Sequence, residues 1–426
     1  MGDSYQASLD YLYSLQLFGI KLGLENIHKL LERLDNPQRQ LRIIHIAGTN
    51  GKGSTAAGLA NIFNAAGISA GLYTSPHLHS FTERVRVDTR QISEAEVVRL
   101  TDELRPDAEQ LRTTFFEFTT ALALLHFQRS GVDWAILETG LGGRLDATNA
   151  VIPELCLITP IAHDHGAYLG ETLAEIAAEK AGIFKPGVPV ICGRQQPEVE
   201  SVLQLRAVQL ELPLLQIEQD FRVTGQESGF SFHGFGVELT GLQPTLVGRH
   251  QQQNLALALA AAAWLKNSGV AISVPAMRQG IEKTRWPGRL EWLPGRILLD
   301  GAHNAAGAEV LADYLAQQGL RNIRLLIGLK ADKQAEQLLR PLLPFVERLY
   351  ATRPPVDAVV DPQILVQLAE QSAVPAIAFA DPQAALAAAL QQRQAGQVLL
   401  VAGSLFLVAA IRENLLPTTE LLSISA

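Results

Sequence analysis

Only two cysteines, Cys156 and Cys192, occur in this chain of 426 residues. Both fall in apolar, strand-like runs, so they read as buried reduced thiols, with a disulfide or a zinc site as the weaker alternative. There is no basic excess either. The 35 Lys and Arg residues against 43 Asp and Glu leave a net charge of -8, and the basic residues are scattered. That argues against nucleic acid as the main partner and leaves room for a local basic pocket around an anionic ligand. No uncharged apolar run reaches the roughly 20 residues of a membrane helix. The longest, Leu255 to Leu265, is an Ala/Leu stretch better read as a buried helix. The opening MGDSYQASLDYLYSL lacks a basic segment followed by an apolar core. A cytoplasmic protein without membrane contact is the expectation.

A hydrophobic fraction of 47% with 18% charged residues describes a packed globule. The length exceeds one ordinary core, so two domains of unequal size are expected. From residue 41 onward, strand-length apolar runs alternate with amphipathic segments of helical length, the pattern of a mainly parallel sheet covered on both faces. Leu41–Ala47 reads as a strand, Gly48 to Gly53 as a tight loop and Ser54 to Ala66 as a helix. A strand at Ile68–Tyr73, a helix from about Phe116 to Arg129 and strands at Trp134–Leu137 and Leu155–Thr159 follow. Thr172-Leu-Ala-Glu175 is a capping-box pattern opening a further helix. Residues 213–247 are Gly-rich and alternating, like a small antiparallel appendage. The two Pro-Gly pairs between Trp286 and Gly295 suggest a linker. A second βα series then begins, with strands at Arg296–Asp300, Ile323–Gly328, Leu349–Thr352 and Val398–Ala402. The expected fold is therefore α/β: a large phosphate-loop domain over residues 1–287, a linker at 288–296 and a smaller Rossmann-like domain over 297–426.

The strongest local signal is strand, Gly48-Thr49-Asn50-Gly51-Lys52-Gly53-Ser54-Thr55, helix. Glycines let successive backbone N–H groups turn toward a polyphosphate, the helix N-terminus adds its dipole, and Lys52 brings a mobile positive charge. An ordinary Gly-rich turn is the weaker alternative. Glu138, after the apolar run Trp134-Ala-Ile-Leu137, stands where nucleotide enzymes hold Mg²⁺. His77-Leu-His79 and His163-Asp-His165 look like zinc pairs, but no thiolate or second spaced His pair accompanies them.

The GTNGKGS loop resembles that of Mur-type amide ligases, and the extra Gly53 resembles their folylpolyglutamate synthase branch. The likeness continues through Tyr73-Thr-Ser-Pro-His-Leu78, Thr82-Glu-Arg-Val-Arg86, Phe116-Glu-Phe118, Glu138-Thr-Gly-Leu-Gly-Gly-Arg-Leu-Asp-Ala-Thr-Asn149, Glu179-Lys-Ala-Gly-Ile-Phe-Lys185 and Leu299-Asp-Gly-Ala-His-Asn304. These blocks run in family order from about residue 45 to 305, and beyond 310 only the βα pattern matches.

The resemblance implies an ATP-dependent ligase that joins L-glutamate to dihydropteroate or a reduced folate through an acyl phosphate. It implies catalytic roles for Lys52, Glu138, His165 and Lys180, and two Mg²⁺ sites on Ser75, Glu138 and His165. Gly166 stands where the family has Thr after its Asp-His pair. Lys180 in EKAGI matches a lysine that is carbamylated in these ligases, although composition alone reads it as a solvated helical lysine. Nucleotide contacts are implied for Thr49 to Ser54, Asn254, Arg289 and Asp300. Thr114, Phe115, Phe116 and Glu117, with Leu145, Asp146 and Ala147, match segments that bind the pteroate, an aromatic pair suiting a flat ring; helix-core packing is the alternative for the two Phe. His303 is implied to place glutamate or nucleotide. A monomer is expected. Two rivals are a peptidoglycan Mur ligase, which carries a UDP-sugar domain ahead of a loop that here begins at Gly48, and a nucleotide-binding switch without ligase activity.

Overall fold

The computed structural model describes residues 4–19, 23–226, 229–391, 393–417 and 421. Two sheets organise them. The first has eight strands: β1 (Arg42–Ala47), β2 (Ala70–Tyr73), β3 (Val85–Val87), β4 (Arg90–Gln91), β5 (Trp134–Glu138), β6 (Leu155–Ile158), β7 (Val190–Cys192) and β8 (Leu214–Gln216). Their order is β4-β3-β2-β5-β1-β6-β7-β8. The strands β2, β5, β1, β6, β7 and β8 are parallel, while β3 and β4 add an antiparallel edge. Every residue of β5, β6 and β7 is buried, as expected where helices cover both faces of a parallel sheet. Both cysteines are buried and free on β6 and β7.

Because the central strands are parallel, their C-terminal ends lie on one edge. The register sets Ile46 beside Glu138 and Tyr73 beside Leu137, so the loops after β2, β5, β1 and β6 emerge as neighbours. Ligand sites of open α/β sheets form on that edge.

A small antiparallel sheet of β9 (Phe221–Gln226), β10 (Gly229–Gly234) and β11 (Val237–Leu242) matches the expected alternating segment. It is more than an appendage. Phe221, Phe230, Phe232 and Leu242 share one core with Ile44, Leu59 and the helix Arg249–Asn267. That helix is buried along Leu255–Ala263, which accounts for its Ala/Leu composition.

The second sheet runs β12-β13-β17-β14-β15-β16, with β12 at Glu291–Leu293, β13 at Ile297–Leu299, β14 at Ile323–Ile327, β15 at Val346–Ala351, β16 at Ala376–Ala378 and β17 at Leu399–Ala402. All pairings are parallel except β12 with β13. Thus Glu291–Leu293, within the stretch read as a linker, is an edge strand of the second sheet. The Pro-Gly pairs bracket that short strand.

Sequence patterning left the region between β4 and residue 115 unassigned. It forms the helix Glu94–Leu111, capped by Ser93 and carrying Pro106 in its interior, a residue that ordinarily interrupts a helical pattern. Helices Tyr5–Ser14 and Glu25–Arg33 precede β1 and pack their Leu12, Ile27, Leu30 and Leu31 against the same core as Phe118 and Leu122.

Candidate active site

The two parallel edges face each other across a cavity of about 510 Å³. From the first sheet it is lined by Gly48–Ser54, Thr74–His79, Glu138, Asp164, His165 and Lys180, and from the second by Asp300–His303 and Leu405. Asn254, Trp286 and Arg289 complete the wall.

The helix after β1 begins at Lys52, two residues earlier than its apolar pattern suggests, because Gly51 takes the left-handed turn at φ 91°. The first intrahelical bond runs from Thr55 N to Gly51 O at 3.0 Å. The N–H groups of Lys52, Gly53 and Ser54 precede it and are free of helical partners, at the positive end of the helix dipole. Gly53 has a specific reason to be glycine: a Cβ there would meet the Trp286 indole nitrogen at 2.8 Å. The preceding residues are held by their neighbours. Thr49 N donates to Pro160 O at 3.0 Å and Asn50 N to the same oxygen at 3.3 Å, and the Thr49 hydroxyl bonds the backbone of Ala162.

Two lysines converge on one carbonyl. Lys52 Nζ donates to Gly48 O at 3.1 Å and Thr49 O at 3.2 Å, and Lys180 Nζ donates to Gly48 O at 2.8 Å. Lys180 is 4% exposed. Burial, seconded by the nearby Lys52 charge, brings its ammonium down to about 7. Composition alone reads Lys180 as a solvated helical lysine, and that is overturned: the helix Leu173–Lys180 turns its last residue inward beneath the phosphate loop.

Glu138 is buried, with Oε1 4.0 Å from Lys52 Nζ and Oε2 accepting from Ser75 N at 3.2 Å. Burial pushes its carboxyl above the usual range, against the pull of Lys52. A buried carboxylate with spare lone pairs, next to the Ser75 loop and one strand from a phosphate loop, fits a hard divalent cation.

Across the cavity, Asp164 joins the sheets. It receives Lys333 Nζ at 2.5 Å and Asn304 Nδ2 at 3.1 Å, and lies 3.4 Å from His303 Nε2. Burial opposes its ionisation, yet His303, His165 and Lys333 together hold the carboxyl far below its usual range. Asn50 and Asn304 pair their amides reciprocally at 3.2 Å. Lys333 and Asn304 were not singled out from the sequence. Lys333 follows β14 in a stretch where no motif was visible.

His165 sits in the left-handed region at φ 52°, 3.6 Å from Asp332 and 3.8 Å from Asp164. Burial brings its imidazole down to about 4. Asp300 accepts from Leu290 N at 2.9 Å and Ala302 N at 2.8 Å, which fixes the backbone on either side of the Arg289 side chain.

The Mur ligase middle domain matches residues 46–262, and the Mur ligase glutamate ligase domain matches 288–405. The dihydrofolate synthase/folylpolyglutamate synthase of Bacillus subtilis is 34% identical, over 97% of this chain and all of that one. The chain belongs to the dihydrofolate/folylpolyglutamate synthase family of Mur ligases. Solved structures of this family superpose along the whole chain. Escherichia coli FolC in complex with DHPP and ADP gives a TM-score of 0.88 at 32% identity, covering 97% of both chains. The bifunctional Yersinia pestis synthase complexed with AMPPNP and Mn gives 0.87 at 34%, covering 97% of this chain and 98% of that one.

Within this family member, the residues matched to pteroate binding stand apart from the cavity lining. Thr114 and Glu117 form a complete capping box on the helix Phe115–Ser130, with Glu117 Oε2 accepting from Thr114 N at 2.7 Å and its hydroxyl at 2.9 Å. Phe115 stacks on Tyr13 at 6.0 Å, and Phe116 lies tilted against Tyr73 at 5.9 Å. Asp146 accepts from Gly140 N, Leu141 N and Thr148 N at 2.8 to 3.0 Å. It thereby shapes the loop after β5, while Ala147 is buried and Leu145 is half-buried beside it. Thr114→Ala is expected to cost about 1 kcal/mol of stability through the lost cap, seen as a lower melting temperature.

Proposed function

We propose that this chain joins the α-amine of L-glutamate to the carboxylate of dihydropteroate and of reduced folates, consuming ATP and releasing ADP and phosphate. The observation that carries the reading is the convergence of Lys52, Lys180 and Glu138 on the phosphate loop. Two amines and a buried carboxylate meet there beside free helix N–H groups, an arrangement suited to phosphoryl transfer.

In this reading residues 1–287 hold nucleotide and acid, residues 297–426 close over them, and residues 288–296 join the two. The N–H groups of Lys52, Gly53 and Ser54 and the Lys52 ammonium take the outer phosphates, with Thr49, Asn50 and Gly51 shaping the loop. Asn254, Arg289 and Asp300 flank the rest of the nucleotide. Ser75 and Glu138 would hold one Mg²⁺ and His165 a second. Among the described residues no three His, Cys, Asp or Glu side chains converge into a ready cage. Oxygen donors suit magnesium, which when bound there would offset phosphate charge. The acid's carboxylate oxygen displaces ADP from the γ-phosphorus, giving an acyl phosphate. The glutamate amine then attacks the carbonyl carbon, phosphate leaves, and the amine loses its proton. Thr114–Glu117 and Leu145–Ala147 position the pterin end, and His303, anchored to Gly301 O at 2.8 Å, positions glutamate. The cleft excludes water from the acyl phosphate.

The test supplies ATP and labelled glutamate with dihydropteroate or tetrahydrofolate as acceptor. Label is expected in both products. ATP hydrolysis that neither acceptor stimulates, with no label transferred, would instead mean a nucleotide-binding switch.

A further inference from the structure

The Ser75-to-Arg86 segment carries a contact that the reading above leaves unused. Arg84 is buried, and its Nε donates to His77 Nδ1 at 2.7 Å. Its guanidinium carbon lies 5.2 Å from the centre of the Phe115 ring. Arginine keeps its protons, so the hydrogen in this bond belongs to Nε and the imidazole nitrogen must accept it. The ring proton of His77 is then on Nε2, on the edge away from Arg84. His77 lines the cavity, whereas Arg84 stands behind the lining. Phe81 meets the ring edge-on at 6.4 Å. Among the described residues no group accepts a hydrogen bond from Nε2. The result is a neutral donor, locked in one tautomer by a buried cation and aimed at the site.

Strand order says what it meets. The phosphate loop follows β1, Glu138 ends β5, and His77 lies on the loop after β2. The order β2-β5-β1 therefore sets the His77 loop on the far side of Glu138 from the phosphates. In the proposed ligase reading the acid presents its carboxylate from that side, where Phe115 and Phe116 also lie.

The geometry points to His77 Nε2–H as the hydrogen-bond donor to the carboxylate oxygen that remains the carbonyl through acyl transfer. This rests on the proposed ligase reading. A neutral imidazole leaves the attacking oxygen nucleophilic, since it hands over no proton. When the glutamate amine adds to the acyl phosphate, the same oxygen becomes an oxyanion and the bond strengthens, which is where a preorganised donor accelerates reaction. Arg84 is the positioning residue that fixes the tautomer.

Two measurements test this. In steady-state kinetics with the acid and ATP varied separately, His77→Leu is expected to lower kcat/KM for the acid by about 10²- to 10³-fold and to leave the KM for ATP unchanged. His77→Gln, whose amide nitrogen falls near the position of Nε2, should recover a large part of the loss, and His77→Asn should not. A loss shared with the KM for ATP, no loss, or Gln no better than Leu overturns the assignment. In ¹⁵N spectra of the unsubstituted protein, His77 should show the Nε2–H tautomer; an Nδ1–H tautomer or an imidazolium overturns it even if a variant fails to fold. Should the unsubstituted protein transfer no glutamate at all, the ligase reading fails, a result distinct from normal ligation by His77→Leu.

Discussion

Lys52→Ala is expected to lower kcat by about 10³-fold while the melting temperature stays close to that of the parent. The reason lies in how the side chain is held. Its partners are the Gly48 and Thr49 carbonyls, both on a loop kept in place independently by Pro160, Ala162 and the helix behind it. Removing the ammonium therefore leaves the loop standing and removes the charge proposed to follow the transferring phosphoryl group. The glutamate-transfer assay and a thermal melt, run together, check both halves. Full turnover by the variant would show that the loop does not face the reacting phosphate.

Lys180→Ala should be nearly as damaging, about 10²- to 10³-fold in kcat, for a different reason. Its amine is brought to about 7 by burial first and by Lys52 second, so a large share is uncharged at neutral pH. Only the uncharged amine adds CO₂: the nitrogen lone pair bonds to carbon, one proton leaves, and a carbamate results. With ¹³C-labelled bicarbonate, a protein-bound carbamate signal should grow as pH rises through about 7 and be missing in Lys180→Arg. The sign for stability agrees. Unmodified Lys180 keeps its proton in the unfolded chain up to its ordinary range near 10.5 but sheds it near 7 when folded. The stability it contributes is thus complete only above the unfolded value, and it falls as pH drops from there toward 7. A carbamate signal unaffected by Lys180→Arg would place the modification elsewhere.

What the sequence disclosed, it disclosed through local pattern. The strand, loop and helix around Lys52 are contiguous, Glu138 closes an apolar run, and the second βα series repeats a recognisable period. The start of the helix at Lys52 was missed because glycines carry no apolar signal. The cross-cavity contacts were beyond reach for a physical reason: Asp164 and Lys333 are 169 residues apart, as are Asp164 and Asn304 by 140, and only tertiary packing pairs them. The Arg84 to His77 hydrogen bond spans seven residues of loop and a single short turn, where no regular element brings the two side chains together. Thr172 and Glu175 show the reverse case. Their spacing advertised a helix cap, and the structure displays that cap in full.

The bridge at Asp164 has a bearing on traffic through the molecule. Its carboxylate accepts from the His165 backbone N–H on its own side and from Lys333 and Asn304 on the other, so separating the halves takes apart a buried ion pair. An opening of the halves along this line would break the Lys333 and Asn304 contacts and re-form them on closing. A turnover rate that varies with ionic strength is the expected sign of such an opening.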